Sequence, residues 1–268
     1  MKPISKTAFY CCGIRMRDAE SASPACGDSY ARTFMSDDGL KILDTFKDET
    51  APNASNVARH RIIDDLLRNE LSVNSSLSVV LIGAGFDSRA YRLKGGRWFE
   101  LDEPQVIDYK NAKLPISQSE NELQRIPIDF GTESLEEKLL PFSTSEPVVF
   151  VIEGVFMYLD QLVIIEMLQT LHKLFPRHKM ICDLMTREFF EKYGKRMHEK
   201  LTGMGASFKF TVDSPEELFE TSGYKLIKKI STVESAVSYG LLKIPKFALK
   251  LFLRALTGGY AIYVFEVT

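Results

Sequence analysis

The sequence is short of the residues that would announce a metal centre or a disulfide scaffold. It has four cysteines, Cys11, Cys12, Cys26 and Cys182, with no CxxC pair, and four histidines in 268 residues. That spacing excludes the usual zinc patterns and argues against a disulfide framework, so reduced, packing thiols and no metal are expected. Apolar runs are short too. None nears the roughly 20 residues that a membrane-spanning helix needs. The N-terminus, MKPISKTAFYCCGIRMRDAE, lacks the apolar core of a secretory signal. A dominant charge is also missing: the net charge of -2 gives no global attraction to nucleic acid or an anionic membrane. The expectation is a cytoplasmic protein with no nucleic-acid partner and no stable membrane insertion. Neither repeats nor low-complexity tracts occur.

What is present is an ordinary globular composition, 45% hydrophobic and 26% charged, at a length suited to one large α/β domain. Residues 1–75 read as helical, without a clear strand. Asn53 to Leu71 places Val57, Ile62, Leu66 and Leu71 near one helical face, with Asn53 and Ser55 as candidate caps. From residue 76 the pattern changes. Leu77–Ile82, Arg97–Leu101, Gln124–Ile128, Val148–Ile152, Lys179–Leu184, Tyr224–Ile230 and Tyr260–Val267 are candidate strands. The β-branched first run suits a strand buried on both faces of a parallel sheet. Helical patterns lie between most of them, as in Gln161–Phe175, with Leu162, Ile165, Leu168, Leu171 and Phe175 on one side. Alternation of this kind predicts a seven-stranded, mostly parallel sheet with right-handed crossovers (residues 76–268) under an N-terminal helical cover (residues 1–75), forming one integrated domain. Before the last strand come a basic amphipathic stretch at 241–256 and a Gly258-Gly259 turn.

The chemistry gathers at the strand ends. The first strand runs into Gly83-Ala84-Gly85, where glycines permit a tight turn and close approach of a ligand to backbone. Asp102 closes the second strand 19 residues beyond Gly83, near the ~20-residue offset of a carboxylate that takes ribose hydroxyls. Asp129 and Phe130 follow the third strand, where they could meet an adenine, and Glu153 follows the fourth. Ligands of open α/β sheets bind at these carboxyl ends. The loop has no third glycine and no Lys-Ser/Thr, so it is not a P-loop. An acidic site suits S-adenosyl-L-methionine (SAM), which is cationic and carries no phosphate, better than a dinucleotide pyrophosphate. Asp87 and Arg89, just past the loop, read as structural braces.

The pieces VLIGAGFDSRAYRL, FELDEPQVIDYK and VIEGVFMYL, with SKTA (Ser5–Ala8) and DSYA (Asp28–Ala31), resemble the leucine carboxyl methyltransferase family, in particular its bacterial SAM-dependent O-methyltransferase branch. The resemblance covers roughly residues 5–225 and implies a Rossmann-like class I methyltransferase fold. By motif it would assign Lys6 and Arg59 to the methionine carboxylate of SAM and Gly83 to its methionine and ribose, beside Gly85 in the same loop. Asp102 would take the ribose, Asp129 and Phe130 the adenine, and Glu153 the neighbourhood of the ammonium. Tyr158, after the fourth strand, could face the substrate and is the catalytic candidate.

The implied activity is methyl transfer to a small molecule, at a carboxylate or hydroxyl oxygen, possible in natural-product metabolism. An ionised carboxylate would need no base. None of His60, His172, His178 and His198 sits in a motif. Other SAM chemistry stays open: N- or C-methylation, protein carboxyl methylation, or an intramolecular reaction of SAM. A non-catalytic SAM-binding protein and an NAD-dependent oxidoreductase are the alternatives from other classes.

Overall fold

The computed structural model describes residues 4–245 and 254–268. All seven expected strands form, and they join in one sheet of order β3-β2-β1-β4-β5-β7-β6. The strands are β1 (Ser78–Ile82), β2 (Arg97–Asp102), β3 (Glu122–Pro127), β4 (Val148–Ile152), β5 (His178–Met185), β6 (Tyr224–Ser231) and β7 (Tyr260–Val267). β1 to β5 pair in parallel, while β7 runs antiparallel to both of its neighbours. The chain leaves β1 toward β2 and later returns to its other side with β4. This reversal opens a crevice at the carboxyl ends of β1 and β4, where an open sheet takes its ligand.

Strand alternation divides the core. Val80, Ile82, Phe150 and Ile152 face one layer, where Ile164, Leu168 and Leu171 of the helix Gln161–Leu174 cover them. Val79, Leu81, Val149 and Val151 face the other, against Ile62, Ile63, Leu67 and Leu71 of the helix Thr50–Val73. Each such side chain contributes about 1.5–3 kcal/mol on burial. A further cluster joins the N-terminal helices to the sheet unit. In it Phe86, just past the glycine loop, packs edge-on against Phe9 at 4.9 Å and stacks on Phe34 at 5.3 Å.

Several local expectations need correction. The helix before β1 begins at Thr50, since Pro52 lies in the first turn, where no intrahelical N–H partner is required. Its first backbone bond runs from Asn53 N to Glu49 O at 2.9 Å, so Asn53 and Ser55 are interior residues and not caps. Asn53 instead links helices: its Oδ1 accepts from Tyr10 OH and its Nδ2 donates to the Phe46 carbonyl. In Gln161–Leu174, Leu162 is 73% exposed and the buried stripe runs through Ile164, Met167, Leu171 and Leu174. Gly258 and Gly259 close the short helix Arg254–Gly259 that feeds β7, where Phe189 leaves no room for a side chain at Gly259. Residues 246–253 of the basic amphipathic stretch lie outside the described residues. Among the described residues, no helix is long and apolar enough to cross a membrane.

Candidate functional site

A cavity of about 720 Å³ lies over the carboxyl ends of β1, β2, β4 and β5, roofed by residues of the N-terminal helices. Pockets for small ligands run from about 300 to 1,000 Å³. Its inner end is built by the β1 turn. Gly83 has φ +71° and Gly85 has φ +47°, both left-handed, a conformation that costs other residues roughly 1–2 kcal/mol. A side chain at Gly83 would collide with Val155 Cγ2, so backbone alone faces the space there. Gly85 N donates to Asp102 Oδ2 at 2.6 Å, and Glu103 N donates to Asp102 Oδ1 at 2.7 Å. Each oxygen of Asp102 therefore keeps a lone pair for a ligand. Burial pushes the Asp102 carboxyl up to about 6, against the pull of those two N–H donors.

Glu153 and Arg59 sit across the cavity, below Gly154. Arg59 Nε donates to Glu153 Oε1 at 3.0 Å, while its Nη1 donates to Asp183 Oδ2 at 3.2 Å and to Tyr260 OH at 2.8 Å. Its Nη2 has a long contact, 3.8 Å, to Cys11 Sγ. Asp183 also accepts from Gly154 N at 2.6 Å and so fixes the turn after β4. Burial works against the Glu153 charge, yet Arg89, helped by Arg59, holds its carboxyl well below the usual range.

Behind Glu153 lies a buried ionic cluster. Arg89 donates to Asp87, to Asp64 Oδ1 at 2.6 Å, to Glu153 Oε2 at 2.9 Å and to the His60 carbonyl at 3.0 Å. His60 Nδ1 lies 2.7 Å from Arg89 Nη2, and His60 Nε2 lies 2.8 Å from Arg92 Nη2. Burial and Arg89 together push the imidazole pKa down. His60, Asp87 and Glu153 could in principle gather round a metal, but the Arg89 guanidinium already touches all three. The two braces past the glycine loop are thus the heart of this cluster.

The wall holds Arg59, Gly83, Gly85, Asp102, Phe130, Glu153 and Tyr158 of the residues expected from sequence. Phe130 is 38% exposed at its edge. Asp129 is half-exposed and stands outside the wall. β3 stops at Pro127, and Asp129 Oδ1 accepts from Gly131 N in the following turn. Lys6 is exposed and also outside, although its neighbours Ser5 and Thr7 line the cavity. Tyr158 packs edge-on against Phe208 at 5.3 Å, and burial pushes its phenol pKa up.

Glu103, within FELDEPQVIDYK, also lines the wall, and other wall residues lie outside every motif. Tyr10, Cys11 and Asn56 come from helix faces that pack across the roof. Phe189, Tyr193 and Met197 come from the region after β5, which includes a five-residue π-helical turn, Phe190–Gly194. Such turns recur at functional sites.

Comparison with known proteins agrees with this architecture. The model of the family described as leucine carboxyl methyltransferase matches residues 8–172. A protein of Mycobacterium ulcerans named "Putative S-adenosyl-L-methionine-dependent methyltransferase" is 29% identical over 169 residues, covering 58% of this chain and 55% of that one. A protein of the same name from Mycobacteroides abscessus is 27% identical over 180 residues, covering 58% and 56%. The chain thus spans about half the length of the curated relatives it matches. Among solved structures, a DUF574 family protein of Streptomyces avermitilis aligns with TM-score 0.59 at 14% identity, over 94% of this chain and 99% of that one. Magnesium protoporphyrin IX methyltransferase from Synechocystis, solved with bound SAH, aligns with TM-score 0.52 at 11% identity, over 88% and 98%. These likenesses show the class I methyltransferase fold. The family model spans more than half of the sequence, and the chain belongs to the leucine carboxyl methyltransferase family.

Proposed function

We propose that the chain is a SAM-dependent methyltransferase acting on an oxygen of a small molecule, with a role in natural-product metabolism as one setting. The observation that carries the reading is the pairing of the side-chain-free turn at Gly83 with Asp102, whose two oxygens are braced by backbone and still open to the cavity. Vicinal hydroxyls of a ribose suit that carboxylate. Phe130 offers a face for the adenine, and the Glu153 carboxylate suits the ammonium. Arg59 Nη2, whose contact with Cys11 Sγ is long at 3.8 Å, suits the methionine carboxylate. The donor set therefore fits the group.

Bound SAM supplies a sulfonium that leaves as a neutral thioether when an acceptor lone pair takes its methyl group. The protein's part is to align the acceptor and exclude water. Glu153, held ionised between arginines, is a poor base, and both nitrogens of His60 face guanidinium groups. For a hydroxyl acceptor, the O–H electron pair stays on the oxygen that gains the methyl, and the proton leaves to water. Tyr158 stays neutral and borders the acceptor side, as a positioning group. Tyr158→Phe is expected to raise KM for the acceptor more than it lowers kcat. A loss confined to kcat in steady-state assays would make the phenol a participant in the chemistry.

Two further outcomes follow from the cofactor end. Gly83→Ala is expected to abolish binding of the demethylated product, S-adenosylhomocysteine, because its methyl group meets Val155 in a left-handed turn. Calorimetric titration of a variant shown folded by circular dichroism checks this, and unaltered affinity would contradict it. The affinity should also fall with pH. Only the ionised Asp102 accepts two hydroxyl hydrogen bonds, and in the free protein its carboxyl takes up a proton as pH drops through about 6. Below that point each pH unit costs up to about tenfold in affinity. Titrations that give one affinity from neutral pH to mild acid would contradict the assignment.

A further inference from the structure

Arg59 is held by groups from three strand ends. Its Nε donates to Glu153 Oε1, just after β4. Its Nη1 donates to Asp183 Oδ2, near the end of β5, and to Tyr260 OH, at the start of β7. Tyr260 closes the set: its OH accepts from Arg59 Nη1 at 2.8 Å and donates to Asp183 Oδ2 at 2.7 Å. Burial pushes the Tyr260 phenol pKa well up, which keeps that proton in place. Asp183 is pinned from its other side, where Oδ1 accepts from Gly154 N at 2.6 Å. Tyr260 is itself anchored, since its carbonyl accepts from Thr232 Oγ1 at 3.0 Å and its ring lies 5.8 Å from that of Phe189. Asp183 and Tyr260 both stand beyond residues 8–172, the span that the family model matches.

A guanidinium has five N–H donors in one plane. These bonds engage Nε and both protons of Nη1, and they leave the Nη2 edge, where Cys11 Sγ is 3.8 Å away. Arginine beside a carboxylate favours two parallel bonds to it. Tyr260 OH stands against that pairing, because it takes one Nη1 proton and shares Asp183 Oδ2. Without the hydroxyl, the guanidinium is free to turn its Nη1–Nη2 edge onto Asp183 and away from the cavity. Resting on the methyltransferase reading above, in which Arg59 takes the methionine carboxylate of SAM, we infer that Tyr260 and Asp183 are positioning residues for the amino-acid end of the cofactor: they occupy Nη1 and thereby present Nη2 to that carboxylate.

Calorimetry on the full chain with two ligands tests this. S-adenosylhomocysteine carries the amino-acid end, whereas 5′-methylthioadenosine keeps the nucleoside and thioether but has neither carboxylate nor ammonium. Tyr260→Phe removes one oxygen and keeps the ring against Phe189. It is expected to weaken S-adenosylhomocysteine at least about tenfold, a share of one charge-assisted bond, and to change 5′-methylthioadenosine by less than about twofold. A merely structural hydroxyl would move both ligands alike. Equal losses for the two, or an unchanged affinity for S-adenosylhomocysteine, would overturn the inference. Tyr260→Phe made in the Arg59→Lys background gives a second reading that needs S-adenosylhomocysteine alone. An ammonium has no planar edge to orient, so the loss there should shrink to under about threefold. A loss as large as in the parent background would overturn the inference as well. A folded parent protein that does not bind S-adenosylhomocysteine would instead sink the methyltransferase reading on which the inference rests.

Discussion

Replacing Asp102 by alanine is expected to weaken S-adenosylhomocysteine binding at least about 100-fold, since each of two hydroxyl hydrogen bonds to an ionised carboxylate is worth roughly 1.5–3 kcal/mol. The effect has a second source. Asp102 receives Gly85 N and Glu103 N, so its loss also leaves two backbone donors of the binding loop without their partner. Asp102→Asn separates the two contributions. It keeps the volume, but one end of an amide must present N–H groups toward a backbone donor, which repels. A loss as large in Asp102→Asn as in Asp102→Ala would assign most of the effect to loop geometry and charge. Calorimetry at neutral pH on both variants reads it, and affinity within about threefold of the parent for Asp102→Ala would contradict the ribose assignment.

Arg89→Ala is expected to cost about 3–5 kcal/mol of stability, the scale seen when one partner of a buried ion pair is removed. Arg89 is fully buried and pairs with Asp64, Asp87 and Glu153 at once. Arg92 would remain near Asp64, at 2.7 Å, but its ion pairs run to Asp64 and Asp28 and not to the other two carboxylates. Those two carboxylates would then face burial with less compensation. Arg89→Lys should recover little of the loss, because a single ammonium cannot span three carboxylates and the His60 ring as the planar guanidinium does. Denaturant unfolding of the two variants measures this. A change under about 1 kcal/mol in Arg89→Ala would show that the cluster is not a structural keystone.

The sheet was legible in the sequence because its strands are buried on both faces. Runs such as SVVLI and VVFVI need no alternation to reveal them, and the acidic residues at their ends fall in phase only if each strand stops where the pattern stops. The grouping of Gly83, Asp102 and Glu153 round one cavity was legible for the same reason: all three are tied to strand ends. What the sequence hid was pairing over long separations. Nothing local indicates that Arg59 shares Asp183 with Tyr260, which lies 201 residues further on. The ionic cluster was half visible, since His60 and Asp64 lie one helical turn apart, but their arginine partners come from beyond β1. Asn53 shows the opposite error. Its side chain suits a cap, but Glu49 O already holds its backbone N–H, and its amide serves Tyr10 and Phe46. The cavity wall after β5 was least legible, because Phe189, Tyr193 and Met197 are ordinary packing residues until the fold turns them toward one space.

The Gly83–Asp102 end of the cavity is expected to hold a sulfonium nucleoside and not a dinucleotide. Titrating the full chain with S-adenosylhomocysteine and, separately, with NAD by calorimetry tests it most directly. One saturable site for S-adenosylhomocysteine with a micromolar Kd, about -8 kcal/mol, and no heat from NAD are expected. A folded protein that ignores S-adenosylhomocysteine, or that takes NAD more tightly, would contradict it.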